Sequence, residues 1–156
     1  MLFRSSLTRY AETPFATGFA HIVRSFRAIL AHAVRLIEEF DVRASSPMVL
    51  AGTLSGGNQQ KVVVAREFTH DLRALVLDQP TRGLDVGSIE FIHKQVIARR
   101  GEGTAILLVS AELDEILDLS DRVLVMFRGR IVGTFDAADA QREKVGLLMA
   151  TGGARE

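Results

Sequence analysis

The chain is 156 residues long, 47% apolar and 24% charged, which suits one folded domain with its own core and excludes wholesale disorder. Nineteen Lys plus Arg balance nineteen Asp plus Glu, so the basic surplus that nucleic acid or an anionic lipid surface demands is missing, and neither is expected as the main partner. The absence of cysteine excludes disulfides, thiolate catalysis and zinc–sulfur sites.

From Gly18 to Asp41 the spacing predicts an amphipathic helix. Ile22, Phe26, Ile29, Leu30, Ala33, Ile37 and Phe40 recur at steps of three and four, with Arg24, Arg27, Arg35 and Glu38 mostly opposite. Ser45-Ser46-Pro47 then opens a loop. Asn58 to His70 reads as a helix despite its β-branched Val62-Val63-Val64, and Ala74-Leu75-Val76-Leu77, closing on Asp78, as a buried strand. Val86 to Arg100 is helical through Ile89, Ile92, Val96 and Ile97; Thr104 to Ser110 is a second strand, and Glu112 to Leu119 a short acidic helix. Arg122 to Phe127 and Ile131 to Phe135 form a hairpin around Arg128-Gly129-Arg130, and a last helix, Ala138 to Ala150, stops before Gly152-Gly153. Strands alternating with helices predict an α/β fold with a mostly parallel sheet covered on both faces. The apolar runs are strand-sized, far below the roughly 18 residues of a membrane span, and Met1–Ser6 lacks a signal-peptide core, so a soluble cytoplasmic chain is expected.

Leu54-Ser55-Gly56-Gly57-Asn58-Gln59-Gln60-Lys61 places a serine and two glycines where a helix begins. Glycine lets a ligand approach the backbone, and the first free N–H groups with the helix dipole favour an anion, by roughly 0.3–1 kcal/mol from the dipole. Alone, this segment reads as a plain helix capped by Ser55. The second motif changes that. Leu75-Val76-Leu77-Asp78-Gln79-Pro80-Thr81-Arg82-Gly83-Leu84-Asp85 puts a carboxylate at the carboxyl end of a strand, where open α/β sheets bind ligands and nucleotide-hydrolysing folds hold Mg²⁺.

With both motifs present, the chain resembles the ATP-binding subunits of ABC transporters. Ser55-Gly56-Gly57 resembles their signature loop, Asp78 the Walker B aspartate and Gly83-Leu84-Asp85 the D-loop. Gly57-Asn58-Gln59-Gln60-Lys61, Thr81 to Gly87, Ser120 to Met126 and Arg128 to Val132 are similar to the second nucleotide domain of simple-sugar and nucleoside importer ATPases. The resemblance implies a partial P-loop NTPase fold, with a helical subdomain over 1–53 and the signature helix and remaining ATPase core over 54–156. It implies ATP and Mg²⁺ as cofactors. Ser55, Gly56, Gly57, Asn58, Gln59 and Asp85 would line nucleotide, and Asp78 would hold Mg²⁺ through water.

Three departures stand out. The Walker A loop needs Gly-Lys followed by Ser or Thr, yet none of the lysines, Lys61, Lys94 and Lys144, follows a glycine. The expectation is therefore the C-terminal portion of one nucleotide domain, from a truncated gene or a misplaced start. Gln79 stands where the resemblance puts a glutamate that activates water, and its amide accepts no proton at neutral pH. Ala111 occupies the position of the switch histidine and offers no side-chain hydrogen bond.

In the family two nucleotide domains meet head to tail, so Ser55, Gly56 and Gly57 would face ATP held by a partner domain with an intact Walker A. Membrane permease subunits, and indirectly a substrate-binding protein, are the other implied partners, at the cytoplasmic face of the membrane. The competing expectation is a non-catalytic chain that docks to an ABC partner or permease. Gly57, taken as part of a surface loop, is expected to accept aspartate without harm to the chain's own fold.

Overall fold

The computed structural model describes residues 16–17, 23–70 and 72–153. They form two compact units. One takes the described residues up to Arg73 together with Thr81–Gln95; the other takes Ala74–Pro80 and the described residues from Val96 onward.

In the first unit, β1 (Ala16–Thr17) pairs antiparallel with β2 (Val23–Arg24). α1 (Phe26–Glu39) follows at once. Residues 23 and 24 are thus strand, not helix; 18–22, including Ile22, lie outside the described residues. The helix starts late because Ser25 caps it, its Oγ accepting from Ala28 N at 3.3 Å. Ile29, His32, Ala33 and Leu36 form its buried face. α2 (Gly56–Phe68) keeps its valine run helical because Val62 and Val64 are buried, and tertiary packing outweighs the small propensity cost of β-branching. α3 (Val86–Gly101) begins in this unit.

In the second unit, β3 (Ala74–Asp78) and β4 (Ala105–Val109) pair in parallel, with Ala74 opposite Ala105 and Asp78 opposite Val109. Only one face of this pair is covered, contrary to the expectation. Ala74, Val76 and Asp78 are exposed, and so are their register partners Ala105, Leu107 and Val109, while Leu75 and Leu77 point inward. Side chains alternate along a strand, so one register aligns all six on the same open face. α4 (Leu113–Leu119) leads into the antiparallel hairpin of β5 (Arg122–Phe127) and β6 (Arg130–Asp136). Its two-residue turn, Arg128-Gly129, has both φ angles positive, at 45° and 78°, the twist that tight hairpins favour.

A 3-10 turn over Ala137–Asp139 delays α5 to Arg142–Thr151. α5 ends at Gly152, left-handed at φ 70°, whose N–H donates to Leu148 O at 2.9 Å; a Cβ there would strike the Phe127 ring. Val123, Val125 and Val145 form this unit's core, with Leu113, Ile116 and Phe135 packed against them.

Candidate functional site

The sequence-predicted residues fall into two clusters, one in each unit. In the first, Ser55 caps α2: its Oγ accepts from Asn58 N at 3.4 Å and from Asn58 Nδ2 at 2.9 Å. Asn58 Oδ1 accepts from Arg43 N at 2.7 Å, and Gln59 Nε2 donates to Leu54 O at 2.8 Å. Both amide side chains therefore brace the loop that leads into the helix. Ser55 and Gly56 remain exposed at the helix N-terminus, whose first turn carries no acidic residue. An anion arriving there meets the positive dipole and no acidic side chain of the helix's own first turn, with the Asp85 carboxylate lying beside Gly57.

Gly57 differs from Gly56. It is buried, and a Cβ on it would lie 2.5 Å from Ser88 Oγ and 3.0 Å from Asp85 Oδ2, whereas one on Gly56 would meet nothing within 4 Å. The expectation that Gly57 tolerates aspartate is thereby overturned. Asp85 begins α3: its Oδ1 accepts from Ser88 N at 3.0 Å and its Oδ2 from Ser88 Oγ at 2.9 Å. These bonds, backbone first, hold the Asp85 carboxyl below its ordinary range. Gly83, at φ 72°, makes the turn before it.

Two residues the sequence reading left without a role complete this cluster. Ser88 is buried and joins Asp85 to Gly57; the Asp-x-x-Ser spacing of a helix start was its signal. Lys61, also buried, donates to Asp41 O at 2.9 Å and Asp41 Oδ2 at 2.7 Å, and its ammonium lies 4.8 Å from the Phe91 ring centroid. The Lys61 bond lowers the Asp41 carboxyl. No signal in the sequence pairs these distant positions.

In the second unit, Asp78 ends β3 with its side chain exposed. Gln79 follows in the left-handed region at φ 49°, its N–H donating to Val109 O at 2.8 Å. Its Oε1 accepts from Ala111 N at 3.5 Å, so the two positions expected to depart from the family pattern meet. A non-glycine residue held left-handed costs roughly 1–2 kcal/mol. Among the described residues no three of His, Asp and Glu converge as a metal cage. Mg²⁺ needs none, since it keeps most of its waters and uses one or two carboxylates. The exposed Asp78 carboxylate fits that demand.

These elements are those of an ABC ATPase cassette, and the chain has part of that fold. It aligns with the ATP-binding cassette MJ1267 of an ABC transporter at a TM-score of 0.65 and 20% identity, covering 96% of this chain and 59% of that one. An ATP-binding subunit of an ABC transporter aligns at 0.68 and 17% identity, over 96% of this chain and 62% of that one. No protein-family model matches the chain.

Its sequence is homologous to a stretch of sugar and nucleoside import ATP-binding proteins. The nucleoside import ATP-binding protein NupA of Lactococcus lactis subsp. cremoris is 48% identical over 152 residues, 97% of this chain and 29% of that protein. The glucose import ATP-binding protein TsgD13 of Haloferax volcanii is 43% identical over 155 residues, 98% of this chain and 28% of that protein. The chain thus spans under a third of the length of these curated relatives. Among the described residues no helix is long and apolar enough to cross a membrane.

Proposed function

We propose that the chain supplies the signature side of a composite ATP site in an importer for simple sugars or nucleosides. The observation that carries this proposal is the exposed Ser55-Gly56 start of α2, braced by Asn58 and Gln59, in a chain 48% identical to a nucleoside import ATP-binding protein. Ser55, Gly56 and Gly57 face ATP held by a second nucleotide-binding domain with an intact Walker A. Asp85, fixed by Ser88, steadies that edge from the side. Asp78 is the residue that would hold Mg²⁺ through water in the chain's own half-site, where the ion would screen phosphate charge.

That half-site is degenerate. Gln79 orients no water as a base, and Ala111 reaches no γ-phosphate. Loss of a general base alone costs about 10²–10⁴ in rate. The chain works at the cytoplasmic face of the membrane beside permease subunits, with a substrate-binding protein as an indirect partner and no nucleic acid. Calorimetry with Mg-ATP tests the proposal: the isolated chain should bind weakly and release no phosphate. A dissociation constant in the low micromolar range, or steady phosphate release, overturns it.

A further inference from the structure

Within the first unit, a relay of contacts leads from the buried Lys61 to the exposed Ser55 hydroxyl. It passes through Asp41, the residue directly after the Phe40 cap of α1, which is held left-handed at φ 45°. That position ordinarily falls to glycine or asparagine, because other L side chains are strained there. On the α1 side the turn is closed by Val42, which is buried and whose N–H donates to Ile37 O at 2.9 Å. On the α2 side Lys61 Nζ grips Asp41 twice, at the carbonyl (2.9 Å) and at the carboxylate (2.7 Å). The ammonium lies 4.8 Å from the Phe91 ring centroid, and Phe91 meets Phe40 edge to face at 6.2 Å, so the grip is anchored on α3 as well.

Two residues beyond Asp41, Arg43 N donates to Asn58 Oδ1 at 2.7 Å. A backbone N–H can only donate, so this bond settles which way the Asn58 amide faces and turns its Nδ2 toward Ser55 Oγ, 2.9 Å away. Asn58 N donates to the same oxygen at 3.4 Å. With both lone pairs of the hydroxyl taken by N–H groups, its one proton points away from them, free for an acceptor such as a phosphate oxygen.

From this geometry we infer that Lys61 is a positioning residue for the Ser55 hydroxyl. By holding Asp41 left-handed it sets Arg43 N; Arg43 N orients the Asn58 amide; and Asn58 commits Ser55 to act as a hydrogen-bond donor. Lys61 touches no ligand in this role. The inference rests on the proposed function only for the acceptor, a phosphate oxygen of ATP, since the relay itself belongs to the free chain.

Amide hydrogen exchange of the full chain, resolved by NMR and without nucleotide, reads the relay at Arg43 and Asn58, whose N–H groups make two of its bonds. Lys61→Met should speed exchange at both at least tenfold, measured against the rate of global unfolding. Ile29→Val, which trims the buried face of α1, should leave that ratio unchanged. The decisive variant combines Lys61→Met with Asp41→Gly. Glycine adopts φ 45° without being gripped, so Arg43 should return to within about threefold of its wild-type exchange. A lysine that only fills space or pairs with a carboxylate would gain nothing from the loss of its partner's side chain. Should Lys61→Met be too unstable to fold, the double variant should still fold. Unchanged exchange in Lys61→Met, no recovery in the double variant, or failure of both to fold overturns the inference. A second measurement follows Mg-ATP-driven association with full-length NupA of Lactococcus lactis. There Lys61→Met should raise the half-saturating Mg-ATP concentration at least fivefold and the double variant should restore it; an unchanged value overturns the positioning role. A wild-type chain that never associates counts instead against the ATP proposal, and exchange alone then decides the relay.

Discussion

Gly57 lies so close to Ser88 that a methyl group on its α-carbon would sit 2.5 Å from the serine Oγ. The same methyl would be 3.0 Å from Asp85 Oδ2, an oxygen that already accepts from Ser88 Oγ. Gly57, the second glycine of the Ser55-Gly56-Gly57 segment, is therefore a packing residue, and its substitution acts first on the fold.

Gly57→Ala should destabilise the chain by about 1–3 kcal/mol, the usual cost of overpacking. Gly56→Ala, with open space around it, should be neutral or stabilising by up to roughly 1 kcal/mol through the loss of glycine's backbone freedom. Urea unfolding of both variants checks this. A double-mutant cycle with Ser88→Ala should recover part of the Gly57→Ala loss. Equal stability of the two alanine variants would refute the contact.

Acid should weaken the Asp85–Ser88 cap. The folded-state carboxyl lies below its unfolded value of about 3.9, so its stabilisation is complete above that value. It is lost as pH falls through the folded-state value. Wild type should therefore exceed Asp85→Asn in stability at pH 6, and the gap should close below about pH 4. A gap that widens in acid would reverse the assigned sign.

Lys61→Met should cost about 1–3 kcal/mol even though it keeps the aliphatic stem packed, because Asp41 O loses its buried donor. Asp41→Asn should cost under about 1 kcal/mol, since that carboxylate is 64% exposed and its attraction to Lys61 is screened. Chemical denaturation at two salt concentrations separates the effects: the aspartate term should shrink with salt and the backbone term should not.

Gln79→Gly should hold or raise stability by up to about 1 kcal/mol, because glycine adopts φ 49° without strain. Gln79→Val should lower it by at least as much. Gln79→Glu keeps an acceptor for Ala111 N, and on the proposed function it still leaves Ala111 without a side chain to contact the γ-phosphate. In a chain fused to a Walker A segment, Gln79→Glu with Ala111→His should thus exceed the product of the two single effects in single-turnover ATP cleavage. Full activity from Gln79→Glu alone would clear Ala111 of blame.

Most of the elements were legible because period and punctuation agree. β3, β4 and the hairpin strands fall within a residue or two of their apolar runs, and α2 and α3 start where Ser55 and Asp85 can cap them. Ile22 continues a helical spacing in the sequence, yet α1 starts only at Phe26, where the Ser25 cap sets it. The ends of β3 and β4 placed Asp78 correctly, yet composition could not tell a two-sided strand from one with an open face. Val76 and Leu107 read as core and are exposed. Lys61 was illegible for a different reason: its partners, Asp41 and Phe91, are 20 and 30 positions away, and local pattern carries no distance information of that kind.

The burial of Lys61 also gives the chain a built-in reporter. Of its three lysines, Lys94 and Lys144 are exposed, whereas the Lys61 amine is enclosed by Asp41 and Phe91. An amine-reactive label should therefore modify the Lys94 and Lys144 side chains quickly and the Lys61 side chain only when α2 lifts from its surroundings. The labelling rate at that one nitrogen would then clock local opening beside the Ser55-Gly56-Gly57 segment, with no engineered tag.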